Sequence, residues 1–139
     1  MGKTTRLETV FRLRETEEDR ARLAMADAQR HVTNATQAWM AARARAAADD
    51  RQGASAAHWT LIEGAHTRAL QEARQAETAV KAAADGLTKM RASYLGARTK
   101  TEALRRVIES RRADERREEA HAERKVMDEV ANLMFLATA

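Results

Sequence analysis

The last third of the chain places the strongest constraint on its fold. From Ala103 to Val130 the sequence contains neither Gly nor Pro, and strong helix formers fill most positions. Pairs of arginines alternate with acidic residues along this stretch. A helix with so many charges buries little of its own surface, so it needs a partner helix or solvent on most sides. The stretch predicts a long helix in a coiled coil and does not by itself indicate a function.

A heptad-like seam runs through the first third of the chain. Its members recur at alternating spacings of four and three residues, which is the signature of a left-handed coiled coil. Many members are alanine, so the two helices are expected to approach closely. The charged members Arg14 and Glu18 are expected at exposed or snorkelling positions near an open end, and a functional role is the alternative. The seam consists of Leu7, Phe11, Arg14, Glu18, Ala21, Met25, Ala28, Val32, Ala35, Trp39, Ala42 and Ala46.

The clearest break lies at residues 49–55, where Asp49 and Asp50 precede Gly53. Two acidic residues at a helix C-terminus oppose the helix dipole, and glycine readily takes the left-handed conformation that ends a helix. This segment therefore predicts a turn.

Capping-box spacings predict where the helices begin. Thr5 precedes Glu8, and Thr60 precedes Glu63, by the three residues that this motif requires. We expect one coiled-coil domain over 1–139, with helix 1 at about 5–49, a turn or tip at about 50–67 and helix 2 at about 68–135.

The seam of the second helix is less regular. Glycines at 64, 86 and 96 weaken this helix locally, but no proline breaks it. One register is formed by Leu70, Ala73, Glu77, Val80, Ala84, Leu87, Arg91 and Tyr94; a related stripe holds Ile108, Glu115, Ala122 and Val126, and Leu104 and Leu133 lie off it.

A turn near mid-chain returns the second helix alongside the first, which predicts an all-α, long antiparallel two-helix coiled-coil hairpin. Two registers are open. A tight turn at Gly53 leaves a long C-terminal overhang without a partner. A broad tip over about 50–68, which we prefer, pairs Leu7 and Phe11 with Val126, Val130 and Leu133.

Composition argues against several classes of protein. The chain has 139 residues, no cysteine and few aromatic residues, so thiolate metal sites are excluded and a large globular core is not expected. No apolar run reaches the length of a membrane span, which predicts a cytoplasmic protein without direct membrane insertion. Basic and acidic residues are nearly balanced in each third of the chain, which argues against nucleic acid.

Residues that could support catalysis are poorly arranged. The four histidines (His31, His58, His66 and His121) do not have the spacing of a helical zinc pair. Carboxylates are numerous, but a two-helix rod offers no pocket that would shift their pKa values. We expect no enzyme activity, no catalytic residues, no metal and no cofactor.

Two exposed features instead suggest interaction with other proteins. Trp59 lies beside the break, and Trp is enriched at binding hot spots. It could share a helical face with Ile62, His66, Leu70 and Ala73. The apolar tail at 130–136 is expected to dock on the N-terminal region, on another copy of the chain, or on a different protein.

Both ends of the chain resemble the flagellar FliJ family. The N-terminal match comprises Arg6-Leu7-Glu8-Thr9-Val10-Phe11-Arg12-Leu13-Arg14, then Glu17-Glu18, Ala21 and Leu23-Ala24-Met25-Ala26. The C-terminal match comprises Glu115-Arg116-Arg117-Glu118, Glu123-Arg124-Lys125 and Asp128-Glu129-Val130-Ala131.

The resemblance implies a stalk-like coiled coil that binds the flagellar export ATPase, an export-gate membrane protein and export chaperones at the inner face of the cell membrane. Self-association is a further partner expectation. The paired ends would contact the ATPase through Phe11, Arg14, Glu18, Arg116, Arg117, Arg124 and Glu129. The gate would meet Trp59, Ile62, His66, Leu70 and Ala73, although glycine and polar residues near the tip depart from the expected pattern. The alternatives are the related injectisome stalk protein and a generic scaffold or adaptor.

Overall fold

The computed structural model describes residues 5–48, 53 and 55–138. These residues form two α-helices, α1 at Arg6–Ala47 and α2 at Ala56–Thr138, and they include no strand. The two helices pack against each other in opposite directions, because contacts of later α1 residues fall on earlier α2 residues. The predicted all-α antiparallel hairpin is confirmed.

Helix α1 begins with the predicted capping box. The Glu8 main-chain N–H donates to Thr5 Oγ1 at 3.4 Å, and the Thr5 N–H donates to Glu8 Oε2 at 3.3 Å. Each residue thus satisfies a main-chain donor that the first helical turn leaves without a helical acceptor.

Helix α2 begins at Ala56, well before the expected start near residue 68. The main-chain carbonyl of Ser55 accepts from the N–H groups of His58 and Trp59, and Ser55 Oγ lies 2.5 Å from His58 Nδ1. Ser55 is therefore the residue that starts this helix, and the predicted box of Thr60 and Glu63 lies inside it.

The predicted glycine turn is present at Gly53, whose φ of 79° is in the left-handed region. Helix α1 ends at Ala47. The two acidic residues expected to disfavour its continuation, Asp49 and Asp50, lie outside the described residues.

The predicted seam of α1 is confirmed at every position, since all twelve members are half-buried or buried. This includes the two charged members, Arg14 and Glu18, which are half-buried. The side chain of Glu18 is only 14% exposed, and one of its carboxylate oxygens lies 3.5 Å from the Arg22 guanidinium.

The inward face of α2 follows a different register from the one expected. Four of the eight predicted members face inward, and they are Ala73, Val80, Leu87 and Tyr94. At each of the other four positions the inward residue is the one just before the expected residue, for example Ala69 in place of Leu70. Small side chains allow the close helix contact, whereas Leu70 is 40% exposed. The inward positions are Ile62, His66, Ala69, Ala73, Ala76, Val80, Ala83, Leu87, Met90, Tyr94, Ala97, Thr101, Leu104 and Ile108.

The described chain divides into two compact units, which we call the mid-chain unit (Glu17–Ala97) and the terminal unit (Met1–Thr16 with Arg98–Ala139). The best buried apolar side chains belong to the mid-chain unit and are Ala42, Ala46, Ala83 and Leu87. Polar contacts between the helices flank this core. Arg45 lies 3.9 Å from Glu72, and the Arg22 guanidinium lies 5.8 Å from the centre of the Tyr94 ring.

Candidate partner-binding site

The terminal unit is fastened by one buried polar contact between its two helices. The side chain of Thr101 is completely buried, and its hydroxyl donates to the main-chain carbonyl of Arg14 at 3.2 Å. The methyl group of threonine also suits a seam that is lined by small residues. A buried hydroxyl without an acceptor is costly, so this contact favours one alignment of α1 on α2.

An ion pair closes the same unit near the start of α1. The Arg112 guanidinium donates to Glu8 Oε1 at 3.0 Å. This hydrogen bond is the main reason that the pKa of Glu8 lies below its ordinary value of 4.5. Glu8 therefore both caps α1 and ties its first turn to α2.

Phe11 lies one helical turn further along, in an open groove that Ile108 and Glu109 also line. The Arg105 guanidinium is 5.6 Å from the centre of the Phe11 ring, which is within cation–π range.

The predicted contact of Leu7 and Phe11 with Val126, Val130 and Leu133 is wrong. The register set by Thr101 and by the Glu8–Arg112 pair places Phe11 opposite the earlier residues 105–108.

Beyond Arg112, the helix α2 continues without a partner among the described residues. We call residues 113–138 the overhang. Its side chains are exposed except for those of Ala113 and Ala120, which are half-buried. The tight-turn register predicted such an overhang, while the preferred broad-tip register placed its apolar residues against α1.

Charge is divided along this part of α2. Residues 98–112 carry six basic and two acidic side chains, whereas the overhang carries four basic and seven acidic ones. The C-terminal third has nearly equal numbers of basic and acidic side chains overall, but it consists of a basic segment beside α1 and an acidic overhang.

The residues predicted to contact an ATPase fall into three groups. Phe11 and Arg14 are half-buried in the terminal unit, and Glu18 is half-buried in the mid-chain unit. The remaining members are all exposed on the overhang, and they are Arg116, Arg117, Arg124 and Glu129. Arg117 and Arg124 are seven residues apart and share one face of the helix. The structure thus brings Arg117 and Arg124 to one face of the overhang but does not bring any of the overhang residues to Phe11.

The residues predicted to contact an export gate do not form one exposed face. Ile62, His66 and Ala73 are half-buried members of the inward stripe of α2. Trp59 and Leu70 are exposed, by 48% and 40% respectively. The accessible part of this prediction is therefore the pair Trp59 and Leu70.

Sequence reasoning missed Thr101, Arg105 and Arg112. Thr101 could have been found, since it lies one heptad after Tyr94 and two after Leu87. The two arginines carry no such signal because the sequence offers many arginines with the same local surroundings.

Two further properties bear on function. No group of three or more acidic or histidine side chains that could hold a metal ion occurs among the described residues. Within the same residues, neither α1 nor α2 has an apolar stretch of the length needed to cross a membrane.

Comparison with known protein families identifies the family of this chain. A family model described as "Flagellar FliJ protein" matches residues 3–139. The chain belongs to the FliJ family. No curated protein and no solved structure matches it. Membership in the FliJ family makes the chain a component of the flagellar export apparatus, as the terminal sequence signatures predicted.

Proposed function

We propose that this protein is a non-enzymatic coupling component of the flagellar export apparatus that docks on the export ATPase through its overhang. The observation that carries the proposal is that Arg116, Arg117, Arg124 and Glu129 are exposed on a helix without a partner among the described residues. Such a helix offers its whole circumference to another protein. Family membership favours this flagellar function over the injectisome stalk and over a generic scaffold.

Family membership also supports a proposed location and further partners. We place the protein in the cytoplasm at the flagellar base, near the inner face of the membrane, where it also meets the export gate and empty export chaperones. Its exposed gate-binding residues are Trp59 and Leu70, with Ile62, His66 and Ala73 beneath them.

Charge reversal tests the ATPase contact. Replacing Arg116 and Arg117 together with Glu should leave folding almost unchanged, because exposed ion pairs such as Arg117–Asp114 contribute little stability. The same change should weaken binding to the cognate export ATPase by roughly tenfold or more, because it places repulsive charge in the interface.

The matched control reverses Arg68 and Arg74, two exposed arginines of α2 in the mid-chain unit. Titration of the purified ATPase with each variant, together with thermal melts, separates binding from folding. Equal affinity of the wild type and the Arg116/Arg117 variant would remove these arginines from the interface.

The gate contact is tested in the same way. Changing Trp59 and Leu70 to Ala should weaken capture by the cytoplasmic part of the export-gate protein. Changing Met40 and Leu61, which are exposed by 61% and 72%, serves as the control. Equal loss in both pairs would show that capture depends on general surface hydrophobicity and not on this face.

A further inference from the structure

The overhang carries an apolar stripe that no described residue covers. Its members are Ala122, Val126, Val130, Leu133 and Ala137, and the spacings of three or four residues place them on one face. Val126 is 58%, Val130 45% and Leu133 66% exposed. A stripe of this kind is typical of a helix that packs on another helix.

The borders of the stripe differ in character. Met127 and Met134 lie along one side, while Lys125 and Glu129 lie along the other. A shallow open depression lined by Ala122, Val126 and Met127 indents the stripe near its start. The stripe therefore begins with the small Ala122 and has the larger Val130 and Leu133 further along, and opposite charges lie one turn apart on its border.

The end of α2 shows a second feature of this segment. Its last turn contains no basic residue, so no side chain there balances the negative end of the helix dipole. Arg116 and Arg117 lie near the opposite end of the overhang.

From these features we infer that the overhang pairs with the overhang of a second copy of this chain, with the two helices antiparallel. In this alignment, Val126 lies opposite the second copy's Val130, and Ala122 lies opposite its Leu133. Lys125 of each copy then lies beside Glu129 of the other. The large side chain of Leu133 enters the depression beside the small Ala122, and the pairing repeats by two-fold symmetry.

The helix ends favour this direction over a parallel one. A parallel pair brings together two negative helix ends that lack a cation, whereas the antiparallel pair brings Arg116 of one copy near the last turn of the other. The paired segment covers 117–138 and so stays clear of the Glu8–Arg112 ion pair that holds the start of α1.

The interface is short and the overhang has a net negative charge, so the association is weak and depends on protein concentration. It also uses the helix that we propose docks on the ATPase. Arg117 and Arg124 lie on the face opposite the stripe, so the dimer leaves these two residues of the proposed ATPase contact exposed.

Sedimentation of the purified full-length chain tests the pairing without any ATPase. The average mass should rise from 15.5 kDa toward twice that value as concentration increases. Leu133→Glu should remain at the monomer mass over the same range. Its control, Leu23→Glu, changes a leucine with the same 66% exposure on α1 and should associate like the wild type. A wild type that stays monomeric, or equal loss in both variants, would overturn the inference.

Charge exchange tests the alignment. Lys125→Glu should weaken the dimer severalfold, and adding Glu129→Lys in the same chain should restore it. Lys100→Glu, an identical change outside the overhang, should have no effect. Failure of the double variant to recover would rule out the Lys125–Glu129 contact.

Disulfide trapping tests the direction, and the chain suits it because it contains no cysteine. A mixture of Ala122→Cys and Leu133→Cys chains should form a mixed disulfide, whereas neither variant alone should cross-link. In the antiparallel pair, the two copies of residue 122 are about 16 Å apart along the axis, at about 1.5 Å per residue, which exceeds the reach of a disulfide. Cross-linking of each variant with itself would show a parallel pair and overturn the inference. These results do not depend on the ATPase, so they can fail or succeed separately from the proposed function.

Discussion

The hydroxyl of Thr101 reaches across the terminal unit to the main-chain carbonyl of Arg14, 3.2 Å away. These residues are far apart in sequence, and the contact joins the middle of α2 to the first turns of α1. Threonine also bonds to the main chain elsewhere in α2, for example Thr67 to the carbonyl of Glu63, but that bond stays within one helix. The contact of Thr101 is different because it relates the two helices to each other.

Thr101→Val should lower the free energy of unfolding by about 1 kcal/mol, since valine keeps the shape of threonine but cannot donate the buried hydrogen bond. The control is Thr67→Val, which removes an exposed bond and should cost no more than about 0.5 kcal/mol. Urea unfolding measures both. Equal stability of the wild type and Thr101→Val would show that the contact contributes nothing to the hairpin.

Phe11→Ala should cost about 1–3 kcal/mol of unfolding free energy, because it removes a half-buried aromatic ring and its contact with Arg105. Phe135 is the matched control, since it is the other phenylalanine and is 74% exposed. Phe135→Ala should change stability by less than about 0.5 kcal/mol. A Phe11→Ala protein that melts at the wild-type temperature would contradict the observed packing of Phe11.

The pH dependence of stability should reveal the Glu8–Arg112 pair. The pKa of folded Glu8 lies below its ordinary value of 4.5, mainly because of the hydrogen bond from Arg112. The pair therefore stabilises the fold above that ordinary value, and this contribution is lost as the pH falls through the lowered pKa.

Glu8→Gln isolates this effect, since glutamine retains the capping geometry but carries no charge. The melting temperature of the variant should lie slightly below that of the wild type at pH 7, and the gap should close in acid. Glu109→Gln, at an exposed carboxylate for which the described residues show no ion pair, should show no such closing gap. A gap that stays constant from neutral to acidic pH would disprove the contribution of the ion pair.

Two glycine substitutions should act in opposite directions. Gly53→Ala should cost about 1 kcal/mol, because Gly53 has a φ of 79° that a residue with a Cβ adopts reluctantly. Gly96→Ala should gain about 0.5–1 kcal/mol, because Gly96 is inside α2 and an added Cβ would meet no atom within 4 Å. Thermal melts measure both, and a stabilising Gly53→Ala would show that the turn does not require its left-handed residue.

The seam of α1 could be predicted from the sequence because a few large apolar residues, such as Leu7, Phe11 and Trp39, fix the heptad spacing. The other members of the seam then follow from that spacing. For α2, only half of the inward positions could be predicted. Leu70 is larger and more apolar than Ala69, so hydrophobicity favours it, but the close approach of the helices selects the smaller residue.

The alignment of one helix on the other could not be predicted by the same means. Sliding α2 by one heptad leaves its periodic pattern almost unchanged, so the pattern cannot decide which residue lies opposite Phe11. That choice rests on single contacts between distant residues, namely those of Thr101 and Arg112. For this reason the sequence could assign the predicted ATPase-contact residues of the overhang to α2 but could not predict that they lie away from Phe11.

The continuity of α2 past Arg112 has a consequence for the exchange of its amide hydrogens. One unbroken helix passes from a segment backed by α1 to a segment that is held by its own main-chain bonds alone among the described residues. Most of the stability of a protein helix comes from tertiary packing, so the overhang should open locally far more often than the segment before it. Protection against deuterium should therefore fall steeply after Arg112 within a single helix, and any partner that binds the overhang should reveal itself by slowing exchange on one side of that boundary.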